Sequence, residues 1–93
     1  METRRHRVEI EYCTGCRFLM RAAWLAQELL TTFEQELEEV ALRPGREGVL
    51  EVRVNGTMVW SRAADGAPDA KIVKQRVRDV VAPDRGLGHT DRV

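Results

Sequence analysis

Val8-Glu9-Ile10-Glu11-Tyr12-Cys13-Thr14-Gly15-Cys16 decides how this chain folds, because three signals meet in it. From Arg7 to Tyr12 polar and apolar residues alternate strictly, with Val8, Ile10 and Tyr12 on one side and Arg7, Glu9 and Glu11 on the other. That alternation predicts a half-buried strand. A parallel strand covered on both faces would read as a continuous apolar run instead, so the sheet is expected to keep one wet face. Thr14 and Gly15 then separate the chain's two cysteines, and a pattern of helical period follows at once.

Downstream, the spacing predicts a helix from about Cys16 to about Leu37. Phe18, Leu19, Ala22, Ala23, Leu25, Ala26, Leu29, Leu30 and Phe33 form its apolar stripe, with Arg17, Arg21, Glu28, Thr31 and Gln35 opposite. Trp24 falls on the polar side, either as a contact surface or lying over the stems of the neighbouring arginines. Glu38 to Arg43 reads as a second strand, joined to the first by a right-handed parallel crossover, and Pro44 to Gly48 as a turn. Val49 to Val54 alternates again, and Asn55-Gly56 signals a hairpin into Thr57 to Arg62. A plain two-residue turn pairs Val52 with Val59 and Glu51 with Trp60. It sends Val59 to the core and leaves Met58 and Trp60 on the open face, the register expected here. One extra bulged residue would reverse this and bury Trp60.

Ala63 to Pro68 reads as a linker. Asp69 is the expected N-cap of a second helix, with Ala70, Val73, Val77, Val80 and Val81 on one face and Pro83 at its end. The element order is then β-α-β-β-β-α. Two helices on one face of a mixed four-stranded sheet make a two-layer α/β domain spanning residues 1–93. Residues 84–93 lack periodicity, and their physical default is a loose tail.

Composition removes several classes of function. Fifteen basic residues balance fifteen acidic ones, so no net field draws the chain to nucleic acid or anionic lipid. Aromatic residues make up 5% of the chain, too few for a base-stacking surface. No apolar run approaches a membrane span, and Met1 to Arg7 lacks the apolar segment of a signal peptide. A cytoplasmic protein is expected, with no membrane or nucleic-acid partner. In a reducing compartment a close cysteine pair is more often catalytic or metal-binding than a static staple.

Cys13 and Cys16 are the candidate catalytic residues. A Cys-x-x-Cys between an alternating strand and an amphipathic helix is the sequence picture of a thioredoxin-like redox motif. The positive end of a helix dipole and its free N–H groups favour a thiolate, and two intervening residues let the second sulfur attack a mixed disulfide formed at the first. The chain's own order puts Cys13 nearer the loop, hence the nucleophile, and Cys16 inside the helix start, hence the resolving thiol. Zinc is the rival reading, but His6 lies roughly 23 Å from Cys13 along an extended strand, and His89 could reach only if the tail folds back. No cofactor and no metal are expected. A second class of function is an interaction module with sensor or structural thiols, its partner or self-association surface formed by Trp24, Met58 and Trp60.

The Val8-to-Cys16 stretch, Gly48-Val49-Leu50-Glu51-Val52 and Asn55-Gly56 together resemble the selenoprotein W/T/H-like, or Rdx, family. Ala22 to Leu30, Val59-Trp60-Ser61-Arg62, Lys74 to Asp79 and Leu87 to Asp91 are similar to its bacterial, cysteine-containing branch. The resemblance implies a thioredoxin-like fold and a thiol–disulfide oxidoreductase role, with protein or low-molecular-weight thiols, glutathione among them, as redox partners. It also implies that Cys16 is the more reactive site, since selenium-containing members carry selenocysteine there, and that Leu87 to Asp91 is ordered against the body. Leu50 stands where the family has an aromatic residue. The cis-proline of thioredoxins has no clear counterpart, Pro44 lying several residues early.

Overall fold

The computed structural model describes residues 5–91; the first four residues of the N-terminal segment and the last two of the tail lie outside them. The strands are β1 (His6–Cys13), β2 (Leu37–Gly45), β3 (Leu50–Val54) and β4 (Thr57–Ser61), and the helices are α1 (Leu19–Thr32), α2 (Arg62–Asp65) and α3 (Ala70–Val81). The sheet runs β2-β1-β3-β4, with β1 parallel to β2 and antiparallel to β3. The expected mixed sheet and parallel crossover are therefore present, with α1 and α3 packed on one face in a thioredoxin-like two-layer arrangement. Val8, Ile10 and Tyr12 of β1 and Leu50, Val52 and Val54 of β3 meet Ala22, Leu25, Leu29 and Phe33 of α1 and Val73 and Val77 of α3 in the core.

Two helix expectations need correction. The helix does not begin at Cys16: Thr14 to Arg17 form a turn in which the Arg17 N–H donates to the Thr14 carbonyl at 3.1 Å, with Arg17 at φ 59°. That dihedral lies outside the right-handed helical region, so α1 starts only after it. The buried stripe is also narrower than expected, because Leu19 and Leu30 lie on its flank and are exposed. On α3, Val80 likewise faces solvent while Val73, Val77 and Val81 are buried.

The hairpin gives the largest correction. Asn55 and Gly56 make the two-residue turn, both at positive φ, and Val54 pairs with Thr57 and Arg53 with Met58 as expected. The ladder then slips by one residue, so Val52 pairs with Trp60 and Glu51 with Ser61, leaving Val59 as the extra residue of a bulge. Trp60 consequently turns inward and is 2% exposed, while Met58, opposite Arg53, stays 53% exposed on the open face. The energy balance favours the slip: burying an indole removes roughly 200 Å² from water, worth about 5 kcal/mol, against about 1 kcal/mol for a lost ladder hydrogen bond. That bond is moreover partly replaced, since the Val59 carbonyl accepts from Arg76 Nη1 of α3 at 3.2 Å.

The predicted linker contains a helical turn. Ser61 Oγ accepts from the Ala64 N–H at 3.2 Å and Asp65 Oδ2 accepts from the Ser61 N–H at 3.1 Å, a reciprocal cap that starts and holds α2. Asp69 caps α3 as expected, its Oδ1 accepting from the Lys71 N–H at 2.9 Å. Residues 84–91 of the expected tail are not loose. Gln75 donates to the Thr90 carbonyl at 2.6 Å, Arg78 pairs with Asp91 at 2.8 Å, and Leu87 packs against the core, the order implied by the family resemblance.

Trp60→Ala is expected to cost about 3–5 kcal/mol in chemical denaturation. Met58→Ala, one bulge away on the open face, is expected to stay within about 0.5 kcal/mol of the parent.

Candidate functional site

Cys13 is the last residue of β1, and both backbone connections of that end are fixed. The Cys13 N–H donates to the Val49 carbonyl at 2.7 Å and the Thr14 N–H to the Gly45 carbonyl at 3.3 Å. On the far side, the Phe18 N–H closes the turn onto the Cys13 carbonyl at 3.2 Å. Gly45 is required here: a Cβ would fall 2.7 Å from both Val49 Cγ1 and Glu11 Oε2, so only glycine lets β2 end this close to Val49.

Within that frame the two cysteines are free thiols with opposite exposure. Cys13 is 4% exposed and belongs to the core cluster, whereas Cys16 projects from the turn into solvent. This reverses the order of accessibility expected from chain position, because the delayed start of α1 leaves Cys16 unshielded by any helix. The two sulfurs adjoin one another, with the Cys16 thiol directed at Cys13 Sγ.

Electrostatics separates the pair further. The Cys16 S–H donated to Cys13, then the backbone N–H groups of Gly48, Cys16 and Gly15, hold the Cys13 thiol below its ordinary pKa against the opposing effect of burial. Cys16 is pushed the other way, first by giving its hydrogen bond to Cys13 and then by desolvation, with the Gly48 amide and the Arg62 charge opposing. The pair therefore carries one proton and one negative charge over a range of pH. The stabilising amides come from the turn and from the β2–β3 loop, not from a helical entrance, since α1 begins at Leu19 without a side-chain cap.

In the sequence alone Gly48 reads only as part of a turn. Its place beside the sulfurs follows from topology. The C-terminal ends of parallel β1 and β2 and the N-terminal end of antiparallel β3 share one edge of the sheet, so the segment joining β2 to β3 must pass the dithiol. A polar depression of about 620 Å³, lined by Thr14, Pro44, Gly45, Arg46 and Val49 with Glu11, Arg43 and Glu51, adjoins the turn at this edge.

The other candidates lie apart. His6 starts β1, at the opposite end from Cys13, and its Nδ1 sits 3.0 Å from Asn55 Nδ2. His89 lies in the 3₁₀ turn Gly88–Asp91. Among the described residues no group of three or more His, Cys, Asp or Glu could hold a metal ion. Trp24, Met58 and Trp60 do not share one surface: Trp60 is in the core, exposed Trp24 is in the helical layer, and exposed Met58 is on the sheet's open face. No helix among the described residues is long and apolar enough to cross a membrane.

A two-layer thioredoxin-like fold with a vicinal dithiol at the end of its central strand defines the class. Residues 7–79 match the model of the Rdx family, and the chain belongs to that family. It is similar to a crystal structure from Bordetella parapertussis, with 56% identity over 80% of this chain and 95% of the other and a TM-score of 0.76. It is also similar to the selenoprotein W-related protein from Vibrio cholerae, with 47% identity over 83% of this chain and 98% of the other and a TM-score of 0.79. No curated protein matches the chain.

Thiolate absorbance followed across pH is expected to show a first ionisation below the ordinary cysteine range and a second above it. Cys16→Ala removes the largest influence on Cys13 and should move its ionisation up; Cys13→Ala should bring Cys16 down towards the ordinary value. Alkylation of the parent should accordingly slow as pH falls through the lower of its two ionisations.

Proposed function

We propose that this protein is a thiol–disulfide oxidoreductase in which Cys16 exchanges with a client disulfide and Cys13 resolves the intermediate. One observation carries the reading: an exposed thiol set directly against a buried sulfur that the backbone fixes at the end of β1. An approaching disulfide can reach Cys16 and not Cys13. The proton of Cys16 passes to Cys13 Sγ as the Cys16 sulfur attacks, so the buried thiolate serves as local base and no further residue is needed. The Cys16–client bond forms while the client S–S bond breaks and releases one client thiolate, which takes a proton. Cys13 then gives up its proton and attacks Cys16 Sγ, forming the Cys13–Cys16 disulfide and releasing the second client thiol. In sum, two electrons and the pair's one proton leave the thiol–thiolate pair, a second proton comes from solvent, and a disulfide becomes two thiols.

The reverse sequence oxidises a client dithiol. A low-molecular-weight thiol such as glutathione, or a protein thiol, returns the pair to its reduced form. This chemistry belongs in a reducing compartment, and the cytoplasm is the one proposed. Membership of the Rdx family and the likeness to a selenoprotein W-related structure support a redox role. The polarity assigned to the two sulfurs agrees with the greater reactivity that the family resemblance implies for the second motif position.

Mass spectrometry of purified variants mixed with a disulfide substrate tests the assignment. Cys13→Ser, which keeps the accessible sulfur and loses the resolving one, is expected to accumulate a stable mixed disulfide at Cys16. Cys16→Ser should accumulate none at a comparable rate. Accumulation on Cys13 alone would reverse the roles, and failure of both variants to form any adduct would remove the redox reading.

A further inference from the structure

The charges of this neutral chain are sorted by position. Away from the dithiol edge most described cations meet a carboxylate: Arg7 with Glu38 and Glu39, Arg43 with Glu9, Arg53 with Glu9, Glu11 and Glu51, Lys74 with Glu28, Arg76 with Asp65, Arg78 with Asp79 and Asp91, and Arg85 with Glu36, whereas Arg5, just before β1, has none among the described residues. At the dithiol edge the rule fails. Arg17, Arg21, Arg46 and Arg62 are all exposed, and none has a carboxylate partner among the described residues. Arg17 follows Cys16 directly. Arg62 acts on the Cys16 charge, and the guanidinium carbons of Arg21 and Arg62 lie 5.2 and 5.3 Å from the centroid of the Phe18 ring, one residue further on. Arg46 lines the depression shared with Thr14 and sits two residues before Gly48, whose amide acts on both sulfurs. Glu11 and Glu51 line the same depression and are held by Arg53, so exposed Glu47 is the carboxylate left facing these four guanidiniums.

We propose that the Cys16 edge recognises an acidic polypeptide segment carrying the client disulfide. The proposal deepens the redox reading and rests on it. Four guanidiniums with no carboxylate partner among the described residues, on three separate segments beside an exposed sulfur, attract negative charge and steer its approach. Arginine also suits this task by geometry, since its planar fork binds a carboxylate through two parallel hydrogen bonds. A small anionic disulfide could engage part of this set. The surface is wider than that, because exposed Leu19 and Met20 continue it along the first turn of α1 and offer apolar contact to residues flanking the acidic ones.

The test uses the reduced full-length protein and two synthetic peptides, each closed by one internal disulfide and differing only in whether Asp and Glu or Lys and Arg flank the cysteines. Oxidised glutathione serves as a small anionic disulfide and dithiodipyridine as a neutral reporter. The acidic peptide is expected to be reduced about tenfold faster than the basic one at low ionic strength, with the advantage fading as salt screens the edge. Arg46→Glu, on an exposed loop, and Arg21→Glu should each shrink that ratio by more than they change the rate with dithiodipyridine, against which both peptide rates are normalised. Circular dichroism would confirm that both variants are folded. Equal rates for the two peptides would overturn the proposal and leave the redox reading intact. Oxidised glutathione reacting as fast as the acidic peptide, with the same dependence on Arg46 and Arg21, would assign the edge to a small anion instead. Absence of exchange with every disulfide, dithiodipyridine included, would overturn both readings.

Discussion

The end of β1 is the constraint on which the rest depends. A strand in the middle of a sheet is held on both sides, and here the hold extends to its last residue through the Cys13 N–H to Val49 and the Thr14 N–H to Gly45. A sulfur at that position cannot drift. The turn that follows is equally fixed, bridged by Phe18 onto Cys13 and bent by the positive φ of Arg17. Backbone bonds of this kind cost nothing to organise at the moment of reaction, so one thiol is immobile in the core while the other is presented on a short, closed loop.

The same edge shows how topology concentrates chemistry that the linear chain disperses. β1 and β2 end there, β3 begins there, and β4, antiparallel to β3, ends there. Gly48, Arg46 and Arg62 are more than twenty residues from Cys16 in sequence, yet each belongs to a segment that must pass this end of the sheet. The open face behaves differently. Its carboxylates and guanidiniums pair across strands, Arg7, Arg43 and Arg53 against Glu9, Glu11, Glu39 and Glu51, so it presents a polar surface whose arginines are all engaged.

Much of this was legible in the residues themselves. Alternation in β1 and β3, the Asn55-Gly56 turn and the Asp69 cap are local signals, and local signals dictated those elements. The dithiol was legible because spacing alone puts two sulfurs within reach. What could not be read were the outcomes of competition between local and tertiary demands. The Val59 bulge exists because burying Trp60 outweighs a regular ladder, and a period-of-two argument cannot weigh those terms. The exposure of the cysteines turned on whether Arg17 would enter the helix, a question of one dihedral angle. Ser61 and Asp65 did carry a readable cap, four residues apart, but the glycine and proline that follow them masked it as linker.

The Val59 bulge has a last consequence, for how copies of this molecule avoid one another. β4 forms one rim of the sheet, and an unbroken rim is a template on which further strands can add without limit. Here the peptide carbonyl at Val59 is already taken by Arg76, and the kink twists the neighbouring stretch out of register with any incoming chain. The opposite rim, β2, is guarded by Glu38, Glu39 and Arg43 and closed by Pro44, which has no amide hydrogen to offer. The distortion that seats an indole in the core thus also blunts the sheet against polymerisation.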